Sequence, residues 1–345
     1  MTRIYYFRKV SSLVVAYLAC AGLLARAQLL PPPDNAKGEE LRTHVEQLRE
    51  SAARGDTDAQ LALGANYQTG TFVQTNLVEA TKWYRLAAEG GNKRAQHALA
   101  FKLQHGNGVA QDRDEARRWY RKAADQGLAE AQQSLAFMYY SGDGVPQNLG
   151  EAAKWFEKAA DQHEAGAQTT LAEMYREGKG VPKSIGEAAR WYRRAADQGH
   201  GYAQLRLGEL LLKGEGISKD TEAALKWYRK AAEGGYGFAQ YNLGTLYRDG
   251  LGVRKDVSEA AKWFRKAAEQ GNEFAQIGLG RLYSEGKGIR KDDVEAYKWF
   301  NVAAVNGNET ASKSRDTIEK RMTSEQIAEA QRVSRAFFSQ RSLPR

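Results

Sequence analysis

Between residues 55 and 308 the apolar positions fall into short stripes of helical spacing. In one stretch Ala131, Leu135 and Tyr139 recur at i, i+4 and i+8, one face of a helix. Gly142 and Gly144 then interrupt the pattern, as expected where a helix ends in a tight turn. A second stripe follows, with Ala152, Trp155, Phe156, Ala159 and Ala160 at a period of 3.6 residues. The pattern predicts two helices joined by a glycine turn. A second stop comes after them, glycine at Gly127 and Gly199 but His163 in this stretch.

The hairpin recurs. Trp83, Trp119, Trp155, Trp191, Trp227, Trp263 and Trp299 are each 36 residues from the next, and no tryptophan lies outside the series. Gln60, Gln96, Gln132, Gln168, Gln204, Gln240 and Gln276 keep the same step, as do Gly70, Gly106, Gly142, Gly178, Gly214, Gly250 and Gly286. Three residue types in one register predict seven tandem helix–turn–helix repeats. A small residue (Gly64, Ala136, Gly208, Gly280) follows the stripe leucine of the first helix and admits a close neighbour. The tryptophans read as the repeat core, knobs filling space left by alanines of adjacent hairpins. One hairpin cannot bury such a stripe alone, whereas a stack makes the core continuous. The repeated Gln, able to donate and accept, reads as a buried tie between its helix and its surroundings.

The pattern carried by Ala239, Gln240, Leu243, Gly244, Tyr247, Gly250, Gly252, Val253, Glu259, Ala260, Trp263, Phe264, Ala267, Ala268 and Gly271 resembles the Sel-one-like repeat, a relative of the tetratricopeptide repeat. Departures are few: Phe72 replaces a turn glycine, and Leu103 and Leu211 replace the stripe tyrosine. The resemblance implies an all-α, right-handed α/α superhelical solenoid with helical caps and, usually, an adaptor or scaffold role. Cysteine-rich relatives pair cysteines within each repeat. This chain resembles the cysteine-free branch.

The ends read differently. Residues 1–27 carry a basic start (Arg3, Arg8, Lys9), an uncharged stretch from Val10 to Leu24 and an Ala25-Arg26-Ala27 cleavage pattern. That is the layout of a secretory signal peptide, short for a membrane span of roughly 20 apolar residues. A periplasmic or secreted mature chain is therefore expected, with an uncleaved membrane anchor as the alternative. Residues 28–38 read as a Pro-rich linker, 39–54 as an N-terminal capping helix, 55–308 as the repeats, and 309–345 as C-terminal capping helices and tail. Thr323 to Gln326 offers a capping-box start for the last helix, whose alternative role is partner docking.

Charge and chemistry narrow the function. The formal charge of +9 drops to +5 without the four basic residues of the signal segment. A basic residue precedes each repeat tryptophan, and Arg121, Arg193, Arg229 and Arg265 follow, but acids such as Glu151, Glu187, Glu259 and Glu295 interleave them. Pairs at i,i+3 and i,i+4 explain this ladder as a solvated face, which argues against nucleic acid. The Gly-x-Gly turns recur too often and lack the strand context of a phosphate cradle. Cys20, the one cysteine, lies in the signal segment, and His44, His97, His105, His163 and His200 show no metal spacing. No nucleophile constellation is legible. No catalytic residue, cofactor or metal is expected. A protein or peptide partner is expected on the variable first-helix positions: Phe101, Lys102, Phe137, Tyr140, Glu173, Arg176, Arg206, Tyr241, Arg248 and Arg281. Related solenoids line their concave face with these helices, and aromatics and Arg dominate binding hot spots. A cell-wall binder or weak envelope hydrolase, and a membrane-anchored regulator, are the alternatives.

Overall fold

The computed structural model describes residues 38–342, and the signal-peptide and Pro-rich segments fall outside them apart from Gly38. Among the described residues there are seventeen helices and no strand. They are α1 (Gly38–Ala53), α2 (Thr57–Thr69), α3 (Leu77–Glu89), α4 (Lys93–His105), α5 (Arg113–Asp125), α6 (Ala129–Ser141), α7 (Leu149–Asp161) and α8 (Ala165–Glu177). Then come α9 (Ile185–Asp197), α10 (Gly201–Lys213), α11 (Thr221–Glu233), α12 (Gly237–Asp249), α13 (Val257–Glu269), α14 (Glu273–Glu285), α15 (Asp293–Val305), α16 (Glu309–Glu319) and α17 (Ser324–Ser342). The chain divides into two compact units, residues 1–183 and 184–345, each a stack of helix hairpins.

Local chemistry sets each helix boundary. The second helix of every repeat starts at a side-chain cap: Asn76, Asp112, Asn148, Ser184, Asp220, Asp256 or Asp292. Asp112, for example, accepts from the Glu115 N–H at 2.8 Å, satisfying a donor the helix leaves open. The first helix ends on a left-handed glycine, such as Gly142 at φ 75°. The second glycine of the turn has another task. A Cβ on Gly108 would stand 2.3 Å from the Leu77 carbonyl oxygen, and one on Gly180 2.3 Å from that of Leu149. The turn thus lies against the start of the preceding repeat's second helix. Phe72 occupies this slot in the first repeat, where no preceding repeat exists, and meets His44 edge-on at 5.9 Å.

In the first six repeats the deepest aromatic is not the tryptophan but the residue after it; in the seventh Trp299 is as buried as Phe300. Tyr84, Tyr120, Phe156, Tyr192, Tyr228, Phe264 and Phe300 are all buried. Each packs where the first helix carries its small residue: a Cβ on Gly64 would come within 2.7 Å of the Tyr84 ring, and one on Gly244 within 2.7 Å of Phe264. The knob-and-hole contact therefore closes each hairpin on itself. Of the tryptophans, Trp119, Trp155, Trp191, Trp227 and Trp299 are buried, while Trp83 and Trp263 are half-buried. A cation three residues on covers the indole face, as Lys122 does over Trp119 at 4.1 Å and Lys158 over Trp155 at 3.9 Å. The basic ladder is thus partly indole packing and partly ion pairing, as in Lys154–Glu151 at 2.7 Å and Lys262–Glu259 at 2.9 Å.

The repeated glutamine is a polar tie. Its amide donates to a carbonyl eight residues earlier, in the preceding repeat's second helix: Gln132 to Ala124 at 3.1 Å and Gln240 to Ala232 at 3.1 Å. Its own oxygen accepts from a second Gln thirty residues later, Gln162 to Gln132 at 2.8 Å and Gln270 to Gln240 at 2.9 Å. Gly90 and Asn306 stand at the corresponding positions for Gln60 and Gln276, whose buried oxygens have no partner.

At the amino end, Leu48 and Ala52 of α1 pack with Ala59 and Leu63 of α2. At the other end, Phe337 of α17 meets Trp299 edge-on at 5.3 Å. Thr323 and Gln326 bond reciprocally, the Thr323 N–H to the Gln326 side chain at 2.9 Å and the Gln326 N–H to the Thr323 hydroxyl at 3.3 Å.

Two stability predictions follow from these geometries. His163 holds φ 69° in a slot that glycine fills elsewhere, so His163→Gly should raise stability by about 1 kcal/mol in urea denaturation. Gln132→Leu should cost about 1 kcal/mol, because it removes the bonds of the Gln132 side chain to the Ala124 carbonyl and the Gln162 amide.

Candidate interaction surface

The first helices carry the variable positions, and the two units are taken in turn. In the first, Phe101 is half-buried and lies 4.2 Å from the His105 ring. Phe137 and Tyr140 converge on the buried Phe156 ring, at 4.9 Å and 6.3 Å. Glu173 and Arg176 pair at 2.5 Å, and Arg176 also reaches Glu177 at 2.6 Å. Lys102 departs from expectation. It is 3% exposed and aims its ammonium at the Tyr84 ring, 5.6 Å from the centroid. Its register is that of Met138, Met174, Leu210, Leu246 and Leu282, all buried. One residue after Phe101 the helix has turned about 100°, onto the core. Lys102 therefore leaves the candidate surface.

In the second unit, Arg206 bonds the Tyr202 hydroxyl at 2.8 Å and pairs with Glu209 at 2.7 Å. Tyr241 stacks on Phe264 at 5.7 Å and meets Phe274 at 5.8 Å. Arg248 lies 6.0 Å over the same Phe264 ring and binds Asp249 at 2.7 Å, which holds the Asp249 carboxyl below its usual range. Arg281 is exposed. Phe264 thus gathers Tyr241 and Arg248, two of the expected residues, onto one support.

The surface also has aromatics that the sequence reading passed over. Tyr202 and Phe238 lie 6.4 Å and 6.5 Å from Tyr236, and Phe274 adjoins Tyr241. Phe238 is 54% exposed and Phe274 61%. The signal was in the register. The second residue of the first helix is Asp58, Arg94, Glu130 and Gly166 in four repeats, then Tyr202, Phe238 and Phe274 in the next three.

His97 marks the same face in the first unit. Its register holds Leu61 and Leu205 in other repeats. The ring is buried, 5.4 Å from Tyr120, and Nε2 lies 3.1 Å from the Ser134 hydroxyl. That hydroxyl donates to the Glu130 carbonyl at 2.8 Å, so the imidazole is the donor of the pair, and Nδ1 is buried without a partner. Burial pushes its pKa down to about 4, against the opposing pull of the Glu130 charge.

Among the described residues no cluster of three His, Cys, Asp or Glu is arranged to hold a metal ion, and no helix is long and apolar enough to cross a membrane. In the second unit the geometry offers exposed aromatics beside arginine side chains.

These features define an α/α solenoid of short helical repeats. The family model described as Sel1 repeat matches seven segments, residues 57–92, 93–128, 129–163, 165–200, 201–236, 237–272 and 274–308. The chain belongs to the Sel1 repeat family. It is similar to a Sel1 repeat protein from Oxalobacter formigenes, at 35% identity over 83% of each chain with a TM-score of 0.68. It is also similar to c5321, a protective antigen present in uropathogenic Escherichia coli strains and displaying an SLR fold. There the identity is 31% over 86% of this chain and 79% of that one, with a TM-score of 0.58. No curated protein matches the chain. Sel1 repeat proteins generally serve as protein–protein interaction scaffolds, and the family is typically non-catalytic.

His97 yields a pH prediction. A folded pKa near 4 against 6.5 unfolded means the unfolded chain takes up the proton first as pH falls. The stability from neutral His97 is complete above pH 6.5 and is lost as pH falls toward 4, by roughly 3 kcal/mol in all. Carboxylates titrate in the same range, so the comparison is with His97→Leu. Urea denaturation at pH 7, 5 and 4 should show wild type losing about 3 kcal/mol more than the variant.

Proposed function

We propose that this chain is a non-enzymatic scaffold of the periplasm or secreted space, exported by residues 1–27 and cleaved after Ala27. It holds another protein or peptide on its first-helix face. The observation that carries this reading is the aromatic group Tyr202, Tyr236, Phe238, Tyr241 and Phe274, with Phe238 and Phe274 more than half exposed. Large aromatics left open on a rigid surface and flanked by Arg206, Arg248 and Arg281 have the composition of a binding hot spot. Core packing does not require Tyr202, Phe238 and Phe274, since the equivalent positions of earlier repeats are Asp58, Arg94, Glu130 and Gly166. The basic start, uncharged stretch and Ala-Arg-Ala sequence support export.

Placing a photo-crosslinking amino acid at position 274 in cells tests the binding surface. It should trap a discrete polypeptide, and the Phe238→Ser/Phe274→Ser double variant should weaken binding to that polypeptide at least tenfold with melting unchanged. Capture unaffected by the double variant would remove this face from the reading. The exported product should be 27 residues shorter than the translated chain and lie outside the cytoplasm; a full-length cytoplasmic product would defeat the localisation.

A further inference from the structure

One arginine of the basic ladder lacks both of the partners, eighteen and thirty residues on, that three of its counterparts use. The counterparts of Arg193 in other repeats are Arg85, Arg121, Arg229 and Arg265. Arg85 grips Glu115, thirty residues on, at 2.5 Å and 3.5 Å. Arg229 donates to the Tyr247 hydroxyl, eighteen residues on, at 3.0 Å. Arg265 uses both positions, bonding the Tyr283 hydroxyl and facing Glu295 at 3.9 Å. Arg121 closes on Asp125 at 3.1 Å and lies 4.8 Å over Trp155. For Arg193 the eighteenth residue on is Leu211 and the thirtieth is Ala223. Both polar partners have become apolar, and Arg193 is exposed, with no hydrogen bond or ion pair among the described residues. The same loss is felt by Lys226, which pairs with Glu222 at 2.9 Å instead of with an acid three residues back.

Arg193 lines a cleft of about 570 Å³ in the second unit, with Leu211 and Ile217 as apolar wall. Its other charges are largely committed. Arg190 is held by Glu187 at 2.8 Å, and Arg194 lies over Trp191 at 4.5 Å. Asp220 caps α11, accepting from the Ala223 N–H at 2.8 Å. Asp197 follows Arg193 by four residues, as Asp125 follows the Arg121 it binds, but here the pair is not bridged, and Glu233 and Glu269 likewise stand after Arg229 and Arg265 without bridging them. The cleft is therefore an open guanidinium fork above an apolar wall.

We propose that this cleft docks an acidic side chain of a partner polypeptide, whose carboxylate takes the place on Arg193 that Glu115 takes on Arg85. This rests on the reading of the chain as a protein-binding scaffold and names the chemistry of what it binds. A Glu carboxylate fits better than a phosphate group for two reasons. Of the three arginines in the lining, Arg190 is paired with Glu187 and Arg194 covers Trp191, which leaves Arg193 to meet a single negative charge. Leu211 and Ile217 also offer cover to an aliphatic stem or an adjoining apolar residue, which a free anion lacks.

The full mature chain and a fluorescein-labelled octapeptide of alternating leucine and glutamate provide the test, by fluorescence anisotropy. A second octapeptide carries glutamine for glutamate. Wild type should bind the glutamate peptide at least tenfold more tightly. Ala223→Glu supplies the missing acid from within and should erase that preference without lowering the melting temperature. Arg193→Gln should erase it too. Equal binding of the two peptides by wild type, or a preference that survives in both variants, would overturn the proposal. So would competition by inorganic phosphate at concentrations where sodium chloride of equal ionic strength has no effect. The scaffold reading fails separately, through the absence of a trapped polypeptide at position 274, because that position does not line this cleft.

Discussion

The fold depends on one contact made seven times, a buried Tyr or Phe of the second helix set against a small residue of the first. At Gly64, Gly208, Gly244 and Gly280 the ring lies so close that an added Cβ would fall within 3 Å of it. Such closeness lets two thirteen-residue helices, each too short to be stable alone, bury their apolar stripes in one another. The other features extend that hairpin. The alanines Ala159 and Ala160 leave room for the next hairpin, and Gly108 and Gly180 let a turn rest on the preceding second helix. The glutamine tie then fixes the register between neighbours with hydrogen bonds that have direction, which apolar packing does not supply.

Because the framework repeats, its exceptions are informative. A position under packing constraint reads alike in every repeat, so a change has either a local structural cause or a cause outside the fold. Phe72 has a local cause, since no earlier repeat crowds it. His163 accepts backbone strain that glycine would avoid. Ala223 has no such local reason, while Leu211 is buried in the core as Leu103 is in the second repeat. Together they leave Arg193 without the partners that Arg85, Arg229 and Arg265 find at those positions. The aromatics Tyr202, Phe238 and Phe274 form a second departure, in three successive repeats, and make a separate surface in the same unit.

Side chains that are polar and buried are spent on structure: Gln132 and Gln240 tie hairpins together, and Lys102 covers Tyr84. His97 is kept neutral by burial and bonded to Ser134.

Strict periodicity in Trp, Gln and Gly determined the helix pairs, their number and the turns, because helix spacing and glycine stops are local properties. The expected surface was only partly legible. Phe137, Tyr140, Tyr241 and Arg248 were recognisable as variable first-helix positions, and Tyr202, Phe238 and Phe274 could have been found by comparing one register across repeats. Lys102 was misplaced because a charge suggests solvent, whereas a helix turns about 100° per residue and carried it onto the core. Only the tertiary structure decided that in the first six repeats the residue after the tryptophan, not the tryptophan, is the innermost ring. It alone showed that the arginine ladder finds its acids and tyrosines eighteen and thirty residues away. Those distances are set by how one hairpin stacks on the next, which the periodicity of a single helix does not encode.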